Sequence, residues 1–412
     1  MAGKNIMQRM IEVKKHIPWY FIGALALTAF GYILIHDLYG GTLFSHSSHD
    51  SYTLQAMAWL DGKVFLPDGQ NYTWLELAIY HGRYYVSFPP IPTLPMIPLV
   101  LIFGPETPNN IVVIMYSLAA LVGAYMACRA MKLSDKNSVF WSVFVVFASN
   151  MLQISTNGGV WLQAQTLNMA LLLWGINFAL RDRRVACAAF LALAVGCRPF
   201  SIVYIPAVLL YFYWKDRKTA PAERPLKQIA GLWRCAAVAV VIGGAYAWYN
   251  WMRFGDPLEF GHNYLPEFTS AEYGQFSLRY LKNNLYNIFL RPIKPLPNGG
   301  LDFPLFDGFM FYVVNPFFIA WVVRVVKDIR SRSVSLPMVA LCAGLIVNLL
   351  LLCMHKTFGG WQWGARYTID LIPYAFMYLL LSGKNEPSPL DRFLCGFGLL
   401  FNSYGAIKMN LL

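Results

Sequence analysis

The chain has 412 residues, of which 57% are hydrophobic and only 13% are charged. A soluble domain carries about 25% charged residues, and the apolar residues here form blocks long enough to cross a bilayer core. This composition excludes a soluble globular protein. The formal net charge of +12 does not indicate nucleic-acid binding, because the cations concentrate in short loops on one side of the predicted spans, which is the positive-inside bias.

An all-α polytopic membrane protein with about eleven transmembrane helices is predicted, as a single domain over residues 1–412 without a soluble part. Lys14 and Lys15 precede the first helix and place the N-terminus on the cytoplasmic side, which leaves the C-terminus outside. The predicted spans cover about 18–35, 109–128, 138–154, 163–180, 185–197, 201–214, 235–252, 305–323, 335–353, 369–382 and 393–409.

Two long outer loops, about 37–108 and 253–304, indicate that the outer face carries the function. The first loop is predicted to contain helices beside the membrane and ends in the apolar, proline-rich stretch 88–98. Its five prolines argue against a continuous helix, and a crossing here would turn the cations of 181–184 outward. The stretch is therefore predicted to lie in the outer interface or to dip in and return.

Asp50 is the first residue that could carry chemistry, in the segment Ser45-His46-Ser47-Ser48-His49-Asp50. A carboxylate at the outer end of a membrane helix could act as a base. Two alternatives stay open. Asp50 could be the N-cap of a helix that starts at Ser51, or it could hold a divalent metal together with His46 and His49.

Arg198 and Arg366 follow in importance, each at the outer end of hydrophobic helices. Burying a guanidinium there is costly without an anionic partner, and its planar fork suits phosphate oxygens. Alternatively, each arginine reaches to lipid headgroups or pairs with a structural carboxylate. The other outer-loop acids are interpreted as solvated charges (Asp61, Asp68, Glu76) or as groups with either a structural or a substrate-binding role (Asp256, Glu259).

The order of these motifs resembles the membrane glycosyltransferases of the GT-C superfamily. The motifs are Ser48-His49-Asp50 in a long first outer loop, Phe88-Pro89-Pro90, Arg198-Pro199, and Trp361-Gln362-Trp363-Gly364-Ala365-Arg366-Tyr367 before the last helices. The resemblance covers nearly the whole chain. Within the superfamily, the order of the motifs is most similar to that of bacterial protein mannosyltransferases and aminoarabinose transferases.

This resemblance implies an inverting transfer of a sugar from a polyprenyl-phosphate donor, on the outer face of a bacterial inner membrane. It implies a lipid, glycan or protein acceptor and an outer-loop Asp as general base, which Asp50 matches. Members of the aminoarabinose transferase type carry a Lys directly before the Pro-Pro pair, where this chain has Ser87 and Phe88. The donor phosphate is therefore assigned to Arg366 and Arg198, with Arg83 in reserve.

The remaining candidates are expected to contact substrate. His46 and His49 would orient Asp50 or hold a metal, while Trp361 and Tyr367 would pack on the sugar or the prenyl chain, and Glu259 would join them. No cofactor is implied with certainty, since some superfamily members need a divalent metal and others do not.

Two rival functions remain. A transporter or lipid-linked glycan flippase without covalent chemistry would place charged or helix-breaking residues near mid-membrane and show two related halves. Here the ionisable residues cluster towards one face, which favours an enzyme. A polysaccharide polymerase or ligase, which joins oligosaccharides instead of single sugars, is not separated from a single-sugar transferase by the sequence.

Overall fold

The computed structural model describes residues 18–219, 232–297 and 299–411, which are mostly helical. The helices are α1 (Trp19–Leu38), α2 (Ser51–Leu60), α3 (Thr93–Phe103), α4 (Asn109–Ala130), α5 (Asp135–Val146), α6 (Met151–Ile154), α7 (Val160–Leu180), α8 (Arg184–Val195), α9 (Tyr204–Thr219), α10 (Trp233–Phe254), α11 (Pro266–Thr269), α12 (Leu278–Phe289), α13 (Phe311–Val314), α14 (Phe317–Arg330), α15 (Leu336–Met354), α16 (Ile372–Ser382) and α17 (Pro389–Asn410). Two antiparallel hairpins join β1 (Leu77–Tyr80) to β2 (Arg83–Val86) and β3 (Lys294–Leu296) to β4 (Gly300–Asp302).

Every predicted span overlaps a helix of the structure. Four of these helices are long and apolar enough to cross a membrane: α1, α4, α10 and α15. The protein is therefore an integral membrane protein, while the total of eleven crossings stays a prediction. Lys14 and Lys15, on which the predicted inner position of the N-terminus rests, lie outside the described residues.

Two predicted spans have the wrong limits. The span predicted at 138–154 is interrupted, because α5 ends at Val146 and α6 begins only at Met151. The backbone N–H of Asn150 donates instead to Asn315 Oδ1 (2.8 Å), and its side-chain amide donates to the Trp363 carbonyl (2.6 Å). Likewise, the span predicted at 305–323 begins too early, since the long helix α14 starts at Phe317.

Helix α16 lies at the centre of the molecule. Its residues from Ile372 to Leu380 are all buried, as expected of a helix that is apolar on every side. It contacts α7, α14 and α15, and α7 in turn packs between α4 and α8. The segment just before α16 is therefore held against α7 at the helix ends that are predicted to face outward.

The first outer loop folds into a layer over these ends. Helix α2 packs against α3, and Tyr52 and Met96 share an apolar cluster with Val160 of α7. Helix α3 forms despite its prolines. Pro95 lies in the first turn, where backbone N–H groups have no helical partner, so only Pro98 removes a hydrogen bond from the helix.

A candidate active site in an outer cavity

A cavity of about 710 Å³ lies between the first outer loop, helix α7, the turn after α8, the second outer loop and the segment after α15. Its lining includes most of the residues singled out from the sequence. The polar and aromatic lining residues include His49, Glu76, Trp161, Arg198, Glu259, His262, Glu267, Phe268, Gln275, His355, Trp361, Arg366 and Tyr367. We refer to it as the outer cavity.

Arg366 supplies a positive charge to this cavity without a carboxylate partner. It is 6% exposed, and its guanidinium donates to the Gly359 carbonyl (Nε, 3.1 Å) and to Gln165 Oε1 (Nη1, 3.4 Å). No carboxylate of the described residues lies within ion-pair distance of it. Burial lowers the pKa of Arg366, but a guanidinium remains charged in proteins. An anion in the cavity would compensate this charge.

Arg198 is paired, as the structural alternative predicted. Its Nε and Nη2 atoms lie 2.9 and 2.8 Å from Asp370 Oδ2, and its guanidinium lies 4.6 Å from the centre of the Tyr367 ring. The Arg198 side chain still lines the cavity. Arg366, Arg198 and Asp370 together carry one more positive than negative charge, and the Glu76 carboxylate in the same cavity acts on Arg366 electrostatically without forming an ion pair. Asp370 was not among the residues predicted from the sequence, although it stands one helical turn after Arg366 at the start of a predicted span.

Asp50 is the N-cap of α2, which confirms the capping alternative. Its Oδ1 atom accepts hydrogen bonds from the backbone N–H groups of Tyr52 (2.9 Å) and Thr53 (3.2 Å), and from Gln163 Nε2 (2.8 Å). Its Oδ2 atom accepts from the Thr53 hydroxyl. The side chain is 1% exposed and does not line the cavity, although the neighbouring His49 does. Burial raises the pKa of the Asp50 carboxyl.

Glu76 was wrongly interpreted as a solvated loop charge. Its carboxylate lines the outer cavity and accepts a hydrogen bond from Trp161 Nε1 (3.0 Å). Burial raises the pKa of this carboxyl group, and no cation of the described residues pairs with it. Asp61 and Asp68 are exposed as predicted. Glu76 is hence a second carboxylate with the properties of a base, and the sequence offered no signal that set it apart.

A row of amides on α7 joins the separate parts of the site. Gln163 donates to Asp50 as described above, Gln165 contacts Arg366, and Asn168 Nδ2 donates to Asp370 Oδ1 (3.3 Å). All three side chains are buried. The signal for them was present in the sequence, since these three amides stand in a predicted span, where polar groups are costly and are retained for binding or packing partners.

The remaining candidates divide into two groups. His49, Trp361, Tyr367 and Glu259 line the cavity, and the His49 ring lies 5.7 Å from that of Trp161. The Glu259 carboxylate also stabilises its own turn, because it accepts from the Gly261 N–H (2.6 Å) and the Asn263 amide (2.7 Å).

His46 and Arg83 do not line the outer cavity. His46 Nδ1 lies 3.0 Å from the Thr107 carbonyl, and the Arg83 guanidinium covers the Phe65 ring at 4.6 Å. Among the described residues, no three His, Cys, Asp or Glu side chains converge in a metal-binding group. The geometry of His46, His49 and Asp50 thus does not fit the metal site that the sequence left open.

Two histidines of the cavity had no role assigned from the sequence. Burial lowers the pKa of His262 to about 3, and burial also lowers the pKa of His355. Phe268 lies between them, with ring-centre distances of 6.0 Å to His262 and 5.4 Å to His355. His262 is therefore neutral at physiological pH and adds no charge to compete with the two arginines for an anion.

The fold is similar to that of two solved membrane enzymes. ArnT from Cupriavidus metallidurans bound to undecaprenyl phosphate matches with a TM-score of 0.54 and 15% identity, over 90% of this chain and 60% of ArnT. The apo oligosaccharyltransferase from Archaeoglobus fulgidus matches with a TM-score of 0.52 and 15% identity, over 96% of this chain and 56% of the enzyme.

This chain thus spans about three fifths of the length of these structures. No protein-family model and no curated protein matches the sequence. Both solved enzymes are members of the GT-C superfamily, so the resemblance inferred from the order of the motifs is confirmed at the level of the fold. The chain shares its fold with these two enzymes.

Proposed function

We propose that the protein is a membrane glycosyltransferase that moves a sugar from a polyprenyl-phosphate donor to an acceptor at the outer face of a bacterial inner membrane. The observation that carries this proposal is Arg366, a buried guanidinium without a carboxylate partner in a cavity at the outer ends of membrane helices. A lipid phosphate is an anion that reaches this depth. The related fold of ArnT, which was solved with undecaprenyl phosphate, supports the same donor class.

The cavity suits an inverting displacement. The acceptor hydroxyl oxygen attacks the anomeric carbon from the face opposite the phosphate, and the bond between that carbon and the phosphate oxygen breaks. The electron pair leaves with the phosphate, whose charge Arg366 and Arg198 stabilise. The phosphate needs no proton, so a single base that takes the acceptor proton completes the reaction. Trp361 and Tyr367 are proposed to contact the sugar or the prenyl chain.

Asp50 is the proposed base, as the resemblance implies. Its support is the cavity-lining His49 next to it and burial, which raises the pKa of the Asp50 carboxyl and so makes it a stronger proton acceptor. Glu76 is the competing base, since its carboxylate already faces the cavity. A substrate that displaces the Thr53 hydroxyl from Asp50 would free one oxygen for the proton transfer.

The proposal is tested by donor binding and transfer in nanodiscs. Arg366→Gln should bind undecaprenyl phosphate at least about tenfold more weakly, which corresponds to about 1.4 kcal/mol, because the glutamine amide cannot compensate a phosphate charge. Arg83→Gln removes the same charge from an arginine outside the cavity and should bind as the wild type does. Transfer is then followed with a panel of radiolabelled polyprenyl-phosphate sugars, membrane lipids and glycans.

The outcomes separate the rival functions. Binding by the wild type with loss in Arg366→Gln, together with sugar transfer, supports the transferase. Binding of lipid-linked sugars without any transfer, combined with their movement across the bilayer, would instead show a flippase. Equal binding of undecaprenyl phosphate by the wild type and Arg366→Gln would contradict the assignment of the phosphate to this cavity.

A further inference from the structure

A second groove opens beside the outer cavity and has no part in the reaction described above. It has a volume of about 490 Å³, and its lining includes Tyr286, Arg291, Lys294, Asp302, Phe306 and Trp361. It is called the acceptor groove below. Trp361 also lines the outer cavity, so the two spaces meet at a single indole ring.

Backbone pairing holds the main chain at this shared tryptophan in place, whereas its side chain is exposed. Trp361 forms an antiparallel bridge with Phe306, and the neighbouring Gln362 N–H donates to the Leu305 carbonyl at 2.9 Å. The Trp361 side chain is nevertheless 68% exposed and that of Phe306 is 55% exposed. Their rings lie 6.2 Å apart at an angle of 78°. The groove thus presents two aromatic faces on a rigid backbone.

Charged groups of both signs stand beside these rings. Lys294 and Asp302 are paired across the β3–β4 hairpin, and both are exposed. Arg291 Nη1 donates to the Phe306 carbonyl at 2.8 Å, which leaves most of its N–H groups for other partners. Aromatic walls that bear a few placed donors and acceptors are the usual make-up of a small-molecule site. Aromatic residues that only anchor a protein in the bilayer do not need a neighbouring carboxylate such as that of Asp302, whereas a binding site does.

We propose that the acceptor groove binds a saccharide, the sugar part of the acceptor substrate. The apolar C–H face of a sugar ring packs on Trp361 and Phe306. Its hydroxyls donate to Asp302 and accept from Lys294 and Arg291. A sugar held there places its far end at Trp361, where the acceptor groove meets the outer cavity. This inference rests on the proposed function, and it selects a glycan or a glycolipid as the acceptor over an unglycosylated protein.

The test uses the full-length protein in nanodiscs and an array of defined neutral, amino and acidic oligosaccharides. The wild type should bind at least one saccharide class. Phe306→Ala and Asp302→Asn should each weaken that binding by about tenfold, since an aromatic contact and a hydrogen bond to a charged group contribute about that much. Phe44→Ala, which removes a similarly exposed phenylalanine elsewhere in the outer loops, is the matched control.

Undecaprenyl phosphate binding is measured on the same samples and separates the two proposals. Both groove variants lie outside the outer cavity and should bind it as the wild type does, which also shows that they are folded. If the wild type binds undecaprenyl phosphate but no saccharide, the proposal of the acceptor groove is overturned and the proposed function is not. The same conclusion follows if both variants bind the saccharide as the wild type does. Failure of the wild type to bind undecaprenyl phosphate overturns the proposed function, while the saccharide array still decides the groove.

Discussion

At the scale of single residues, the site combines two arginines that differ in how their positive charge is compensated. Arg198 forms an ion pair with Asp370, whereas the guanidinium of Arg366 donates hydrogen bonds to a carbonyl and an amide oxygen and lies 5.3 Å from the centre of the Tyr367 ring. A phosphate that binds both guanidiniums would gain its charge compensation mainly from Arg366. Arg198 is better suited to orient the phosphate, because its guanidinium is held in place by the carboxylate and by the Tyr367 ring.

The two candidate bases can be separated by substitutions that preserve their hydrogen bonds. Asp50→Asn should lower the transfer rate by at least about a hundredfold, the usual contribution of a general base. Asparagine is as good an N-cap as aspartate, so α2 should remain folded. Glu76→Gln keeps an acceptor for the Trp161 indole and should lower the rate less than tenfold. The measurement is the single-turnover transfer rate at saturating donor.

The reverse pattern would move the base to Glu76. Asp50 would then have no role beyond the helix cap that its hydrogen bonds form. Donor binding is measured in parallel to exclude unfolding as the cause of a lower rate, because a variant that has lost its fold would lose binding as well as transfer.

At the scale of elements, the segment between α15 and α16 positions the chemistry. Gly364 has φ +68°, and a Cβ atom at this position would overlap the buried Val314 side chain. Two residues later the chain places Arg366 against α7. The conformation of this turn therefore decides where the uncompensated charge lies.

Gly364→Ala should destabilise the protein more than Gly360→Ala does. Both glycines have positive φ values, so each alanine incurs about 1–2 kcal/mol of backbone strain. Only at Gly364 does overpacking add about 1–3 kcal/mol, because nothing lies within 4 Å of a Cβ atom at Gly360. Thermal unfolding in detergent measures the difference. Equal melting temperatures for the two variants would show that Val314 moves aside without cost.

At the scale of the whole molecule, orientation determines which compartment supplies the acceptor. The outer cavity is expected to face away from the cytoplasm. In a background without the seven native cysteines, Asp61→Cys in the first outer loop should react with a membrane-impermeant maleimide on intact spheroplasts. Arg332→Cys, at the opposite ends of the helices and also exposed, should react only after lysis. Labelling with the opposite sidedness would invert the topology.

The sequence predicted the elements far better than their contacts. Blocks of apolar residues located a helix at each predicted span because membrane spans have a length and composition of their own, but they did not predict the short helix α12 in the second outer loop. The limits failed at Asn150 and before Phe317, where hydrogen bonds to distant segments replace helical ones. The arginines were found because charge is rare in such segments. Glu76 could not be found, because its burial depends on Trp161, which is 85 residues away.

The interruption between α5 and α6 has a consequence for biogenesis. Asn150 obtains its partners from Asn315 and Trp363, which the ribosome delivers much later. Until then the early helices carry backbone and amide groups without their final partners, and hydrocarbon offers no substitute. The first half of the chain is consequently not a finished structure when it enters the bilayer. A chain truncated before Asn315 would therefore leave Asn150 without either partner, deep in the first half of the chain.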